Sequence, residues 1–298
     1  MADVTAAGAD GIPDYVVITP VRDEEEYVEA TLESMLNQTL PPREWLLVDD
    51  GSRDRTPEIL RRYSSRAPWI TVITREDRGF RATGRGEVDA FYDGYRHLQT
   101  EDWDFIVKLD ADLLFEEDYF EQCLQRFAQN PRLGIAGGTI ESMRGKVVYR
   151  ESHPHFHVRG ATKIYRRRTW EEFGGIVPAP GWDTLDEITA NMLNWETRTF
   201  PDVVLRQLRP TGSAIGQWRN WLKDGEGCYL IGYHPLYLLA RSVVRLTRSP
   251  YVIASVGLLA GYLRALIRRE ARIASVETIA YIRSQQVARL LGRDTIWQ

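Results

Sequence analysis

The 298-residue chain is poor in cysteine, with only Cys123 and Cys228. Two thiols cannot build a disulfide framework or a four-thiolate zinc site, and their scarcity fits a reducing compartment. Long apolar runs are missing: no stretch reaches the roughly 18 uncharged apolar residues that an ordinary membrane span needs. Met1 to Gly11 is rich in Ala, Gly and Asp and lacks an apolar h-region, so no signal peptide is expected, and residues 1–12 read as disordered. No charge sign dominates: 38 Lys and Arg face 42 Asp and Glu, a formal charge of −4, so nucleic acid is not an expected partner. With 43% hydrophobic and 27% charged residues, wholesale disorder is excluded.

Strand and helix signals alternate through the first half. Tyr15 to Thr19 is a β-branched run that Pro20 should stop, and Glu25 to Leu36 carries a helical period. Trp45 to Val48 is a second buried strand; Thr56 and Pro57 then read as the N-cap and first residue of a helix through Tyr63. Strands follow at Trp69 to Thr74, Asp104 to Leu109 and Leu133 to Ile140, with helices at Glu87 to Leu98 and Tyr119 to Ala128. This alternation predicts an α/β fold with a mostly parallel central sheet and right-handed crossovers. Beyond lie a strand near 156–165, a helix from Asp183 to Leu193, an extended segment over 196–210 and long helices after 228.

In such sheets the ligand sits beyond the carboxyl ends of the strands, and acidic clusters fall there: Asp23-Glu24-Glu25, Asp49-Asp50 and Asp110-x-Asp112. Asp110 and Asp112 directly follow an apolar strand; two carboxylates so placed can hold a hard divalent cation and leave positions for phosphate oxygens. Adjacent acids at the end of a buried strand, as at Asp49-Asp50, are costly unless paired, and the imide N–H or ribose hydroxyls of a nucleoside can pair them. No Gly-x-Gly-x-x-Gly follows the first strand, which disfavours a dinucleotide fold.

The segments Ile18 to Glu25, Val48 to Thr56 and Lys108 to Asp112 together resemble, in order and spacing, the three N-terminal signatures of family 2 inverting glycosyltransferases. The similarity spans about residues 14–222. It implies a GT-A fold, a nucleotide-diphosphate sugar donor and Mn2+ or Mg2+. By this resemblance Pro20, Glu24, Asp49 and Asp50 belong to the nucleoside site, Asp110 faces the sugar and ribose, and Asp112 with Asp110 takes the metal. Arg22 and Asp23 depart from the family pattern, which leaves the nucleobase open.

An inverting transfer needs a carboxylate base for the acceptor hydroxyl. Asp183, Asp186 and Glu187 fall at helical spacing i, i+3, i+4 and share a face. In the similar processive synthases a Glu-Asp pair opens this helix and its Asp is the base. Here Trp182 replaces the Glu, and the interval to Asn194-Trp195 selects Asp183, with Asp186 second. Gln217-Trp218-Arg219-Asn220-Trp221 imperfectly resembles a further motif of those synthases, in which Trp221 would stack on the acceptor and Gln217 and Arg219 would hold the diphosphate; clustered Trp is equally compatible with core packing. Thr211 and Ser213 fit a phosphate-reaching turn. His153, His155 and His157 share one face if extended, and more often line a groove than bind metal. Arg166 to Arg168 reads as a solvated helix start.

The near-neutral total conceals an asymmetry. Residues 228–298 hold 10 Arg and 3 acids, while residues 1–227 hold 28 basic and 39 acidic residues. We expect a catalytic domain over 13–227 and a basic amphipathic helical segment over 228–298, with residues 228–272 facing a membrane surface. The expected acceptor is a lipid-linked, polyprenyl-type glycan, and the expected location is the cytoplasmic face of the cell membrane. Two alternatives remain: a soluble enzyme with a protein or small-molecule acceptor, whose C-terminal helices make a homo-oligomer, and a non-catalytic nucleotide-sugar-binding membrane scaffold.

Overall fold

The computed structural model describes residues 13–79, 85–144, 147–150, 153–209, 216–247 and 251–297. Residues 1–12, Thr211 and Ser213 therefore lie outside the described residues. In chain order the elements are β1 (Tyr15–Val21), α1 (Val28–Leu36), β2 (Glu44–Asp49), α2 (Thr56–Ser64), β3 (Ile70–Thr74), α3 (Arg85–His97), β4 (Phe105–Leu109), β5 (Leu113–Phe115), α4 (Tyr119–Gln129) and β6 (Leu133–Arg144). There follow β7 (Val147–Arg150), β8 (Thr162–Arg166), α5 (Arg167–Phe173), α6 (Trp182–Met192), β9 (Glu196–Gln207), α7 (Gln217–Leu230), α8 (Pro235–Arg245), α9 (Tyr251–Ile267) and α10 (Val276–Leu290).

All nine strands share one mixed sheet, ordered β3-β2-β1-β4-β8-β6-β9-β5, with β7 paired to β6. β3, β2, β1 and β4 run parallel; β8 is antiparallel to both β4 and β6. β1 alternates its residues between two cores: Tyr15 and Val17 meet α1, α2 and α4, while Val16 and Ile18 meet α3. A third core joins α6, α7, α8, α9 and α10 through Ile188, Tyr229, Leu238, Leu258 and Ile282.

Strand order reverses at β1, with β2 on one side and β4 on the other, so the crevice for a ligand opens between the ends of β1 and β4. Pro20 does not stop β1; it pairs with Val48 in register. The ladder to β4 has already ended at Ile18, so the N–H that Pro20 lacks is not needed on that flank. Helix α1 starts at Val28 rather than Glu25, because residues 22–27 form the loop at the crevice. Thr56 does not cap α2: its hydroxyl accepts from the Glu24 N–H at 2.8 Å and pins that loop. The expected strand near 156–165 shrinks to β8. Helix α7 runs unbroken through residue 228, so the change in composition there falls inside a helix.

Candidate active site

At the end of β1, Glu24 is buried and ion-pairs with Arg209, which also donates to the Asp23 carbonyl at 3.0 Å. At the end of β2, Asp49 accepts the Ser52 N–H at 2.9 Å and serves the turn, whereas Asp50 pairs with Arg75 and Arg78. Burial raises the Asp50 pKa despite both guanidinium groups. Gly51 sits at φ +76°, and a Cβ there would meet Asp77 Cα at 2.5 Å, so the segment after β3 lies directly over this turn. Asp77 in turn binds Arg22 at 2.7 Å and Arg53 at 2.6 Å. This end of the crevice is thus walled by guanidinium–carboxylate pairs, and Asp50 is a member of two of them.

At the end of β4, Asp110 and Asp112 have different surroundings. The Asp110 carboxylate is held by Lys108, a lysine 1% exposed inside the strand, which also binds Glu87 of α3 and donates to the Gly160 carbonyl at 2.8 Å. Burial works against the Lys108 charge, but Asp110 and Glu87 outweigh it and keep the ammonium protonated. Asp112 is buried beside Glu24; its Oδ2 accepts from Gln207 at 3.2 Å, while its Oδ1 is buried with no hydrogen-bond partner. Burial first, and then Glu24, push its pKa up to about 6. A cation would relieve both the unpartnered oxygen and the repulsion, so the residues fit a divalent metal held by Asp112 with Asp110 alongside. Among the described residues no group of three or more His, Cys, Asp or Glu side chains is gathered as a metal cage.

Helix α6 brings the predicted bases to the same crevice. Its first residue, Trp182, lies between two buried ammonium groups, 5.4 Å from Lys108 Nζ and 5.5 Å from Lys163 Nζ. Asp183 follows at the cleft wall. Burial would raise its pKa, but His157, Lys163, Arg159 and Lys223 together lower it, so it is ionised at neutral pH. Asp186 is 3% exposed and fully engaged: Lys163 binds it at 2.8 and 3.0 Å, and the Tyr165 hydroxyl donates to it at 2.7 Å. Glu187 is equally buried, accepting from Lys163 at 2.7 Å and the Val158 N–H at 2.7 Å and contacting His157 Nδ1 at 2.9 Å.

Several sequence-based expectations fall elsewhere. Trp221 packs against α9, where a Cβ on Gly257 would sit 2.7 Å from its Cβ, and the Arg245 guanidinium stacks on its ring at 4.7 Å. Gln217 and Arg219 are exposed at the start of α7. Lys223 and Asp224, further along α7, are the residues that interact with Asp183. The histidine segment is a turn rather than a strand, and His157 is engaged by Glu187. Arg166 is no solvated residue: it donates to the Leu133 and Phe127 carbonyls, while Arg167 and Arg168 pair with Glu171 and Glu172.

A parallel α/β half with acids at the β1/β4 switch point, followed by antiparallel strands that complete the crevice, is the GT-A architecture. A family model, Glycosyl transferase family 2, matches residues 16–180, and the chain belongs to that family. It is 28% identical over 116 residues to a poly-β-1,6-N-acetyl-D-glucosamine synthase of Staphylococcus epidermidis, covering 39% of this chain and 26% of that protein. The chain spans less than half the length of the first curated relatives it matches. Among solved structures it resembles the mannosyltransferase PcManGT from Pyrobaculum calidifontis, in complex with GDP-Man and Mn2+, with a TM-score of 0.59 and 19% identity over 87% of this chain and 88% of that one. S. aureus TarS in complex with UDP-GlcNAc is also similar, with a TM-score of 0.54 and 15% identity over 94% and 92% of the two chains. At these identities the structural likeness speaks for the fold.

Proposed function

We propose that the protein is a metal-dependent inverting glycosyltransferase that moves a sugar from a nucleotide diphosphate to a hydroxyl of a lipid-linked, polyprenyl-type glycan on the cytoplasmic face of the cell membrane. The observation that carries this reading is the contact chain from the metal end to the base end of one crevice. Lys108 holds Asp110, Trp182 covers Lys108, and Asp183 follows Trp182. The neighbouring complexes with GDP-Man and UDP-GlcNAc support a sugar-nucleotide donor.

Asp112, with Asp110 alongside, would hold Mn2+ or Mg2+, which when bound offsets the charge of the leaving diphosphate. Arg209, ion-paired with Glu24, would bring a cation to the phosphates of a bound donor. Asp183 takes the proton of the acceptor hydroxyl as that oxygen attacks the anomeric carbon from the face opposite the diphosphate. Its ionised state at neutral pH suits it to the task. Asp186, closed in by Lys163 and Tyr165, instead holds α6 against β8.

Incubation of the full chain with a panel of sugar nucleotides, Mn2+ and lipid extracts tests the reading, with free nucleoside diphosphate as the readout. Release that requires both metal and lipid extract is expected. Intact donor under every combination would favour a binding scaffold instead, and turnover on soluble acceptors alone would remove the lipid-linked substrate.

A further inference from the structure

Helices α8 and α9 leave a broad apolar face open to solvent. Leu239 and Val243 project from α8, and Val252, Val256, Leu263 and Ile267 from α9, all at least 46% exposed and Ile267 79%. The opposite side of α9 buries Ala254, Leu258, Tyr262 and Ala265, so the exposed face is the second side of a helix already packed. Apolar patches of this extent mark an interaction surface. Its charge decides the partner. Residues 228–298 hold ten Arg against three acids, and Arg264, Arg268 and Arg269 are exposed at the end of α9, the first two in surface ion pairs with Glu226 and Glu270 that lipid phosphates can replace at little cost. Among the described residues no helix is long and apolar enough to cross a membrane. The 17 residues of α9 make a rod of about 26 Å, short of the roughly 30 Å hydrocarbon core.

We propose that this face seats the protein in the headgroup layer of an anionic phospholipid leaflet, with α8 and α9 in the plane of the surface, their Leu, Val and Ile in the acyl boundary and Arg264, Arg268 and Arg269 on lipid phosphates. Helix α7 ties that seat to the chemistry. A Cβ on Gly225 would lie 2.1 Å from the Leu258 carbonyl, and one on Gly261 2.0 Å from the Leu222 carbonyl, so α7 and α9 touch backbone to backbone. On its other side α7 abuts the start of α6, where a Cβ on Gly227 would lie 3.3 Å from the Gly181 nitrogen, two residues before Asp183. The lipid seat and the base therefore move as one body, and the seat fixes the height at which Asp183 meets a hydroxyl. This last step rests on the lipid-linked acceptor proposed above; the seat itself does not.

The test is flotation of the full chain, without donor, on vesicles of phosphatidylcholine alone and with about one-third phosphatidylglycerol. Binding to the anionic vesicles, weakened by salt, is expected, with at least a tenfold loss in the Val243→Asp/Val256→Asp double variant. Both positions are exposed, so the variant should keep its melting temperature and its Mn2+-dependent stabilisation by nucleotide. Equal partition of variant and parent, or no binding to either vesicle, overturns the proposal. A dimer in solution that the same double variant dissolves would also overturn it, assigning the face to a second copy. Flotation without any sugar transfer would leave the seat standing and sink the glycosyltransferase reading.

Discussion

Asp183 and Asp186 stand one turn apart on α6, and their surroundings separate their roles. Replacing Asp183 with Asn should leave donor binding unchanged and lower kcat by roughly 10²–10⁴-fold, the usual worth of a general base; loss of donor affinity with kcat intact would refute the role. Its lowered pKa fixes the pH dependence. The active form is the ionised one, lost only as pH falls below the ordinary carboxylate range, so the base imposes no acid limb between pH 5.5 and 8 on kcat measured with saturating metal. Asp186→Asn should act on stability instead, because it removes one of the two carboxylates that neutralise buried Lys163. A loss of about 3 kcal/mol in chemical denaturation is expected. Glu24, Asp50, Asp110 and Asp112 could be named from their places after strands, and Asp183 and Asp186 from helical spacing. Lys108 left a readable signal, a lone lysine inside Phe105–Leu109, since a charge in a buried strand must be paired. Arg209 left none: it meets Glu24 across 185 residues of chain, and local pattern carries no such information.

At the scale of elements, β1 to β4 and the helices between them were legible because each strand of a buried parallel sheet is a β-branched or aromatic run. β5 and β7, at three and four residues, are too short to show a period, and their pairing is set by β9 and β6. Trp221 was open to two readings because a tryptophan near an active site and one under a helix look alike in sequence; its Cβ abuts Gly257 on α9. That helix pair supplies its own prediction. Gly225→Ala and Gly261→Ala should each cost about 3 kcal/mol, the upper end of overpacking, since the added methyl meets a backbone carbonyl that can yield only by moving the helix. Gly174→Ala would meet nothing within 4 Å, but its φ of +79° makes it costly through the backbone alone, roughly 1 kcal/mol. Denaturation midpoints of the three variants separate steric from conformational cost, and equal values near 1 kcal/mol would disprove the tight α7–α9 contact.

Over the whole molecule, the charge divides along the chain. Acids gather where a cation and a sugar nucleotide would sit, and they are scarce on the segment that carries the exposed apolar face, where ten arginines face three acids. Glu24, Asp110 and Asp112 crowd one end of the crevice, and Lys108 and Arg209 cannot neutralise them fully, since burial and Glu24 still hold Asp112 up at about 6. A nucleoside diphosphate alone brings further negative charge to that end, so its binding free energy is reduced by repulsion until a divalent cation enters with it. Ligand and metal should therefore stabilise the fold more than additively. At about 100-fold excess over Kd, the cognate nucleotide with Mn2+ should add about 2.7 kcal/mol, a rise of several degrees in Tm, while the same nucleotide with EDTA should add little. Asp112→Asn removes the buried charge and with it the repulsion from Glu24. That variant should melt no lower than the parent without ligand and lose the metal-dependent increment. An unchanged increment in Asp112→Asn would place the cation on other groups, and an equal shift with EDTA would mean that the cleft takes its nucleotide without a metal.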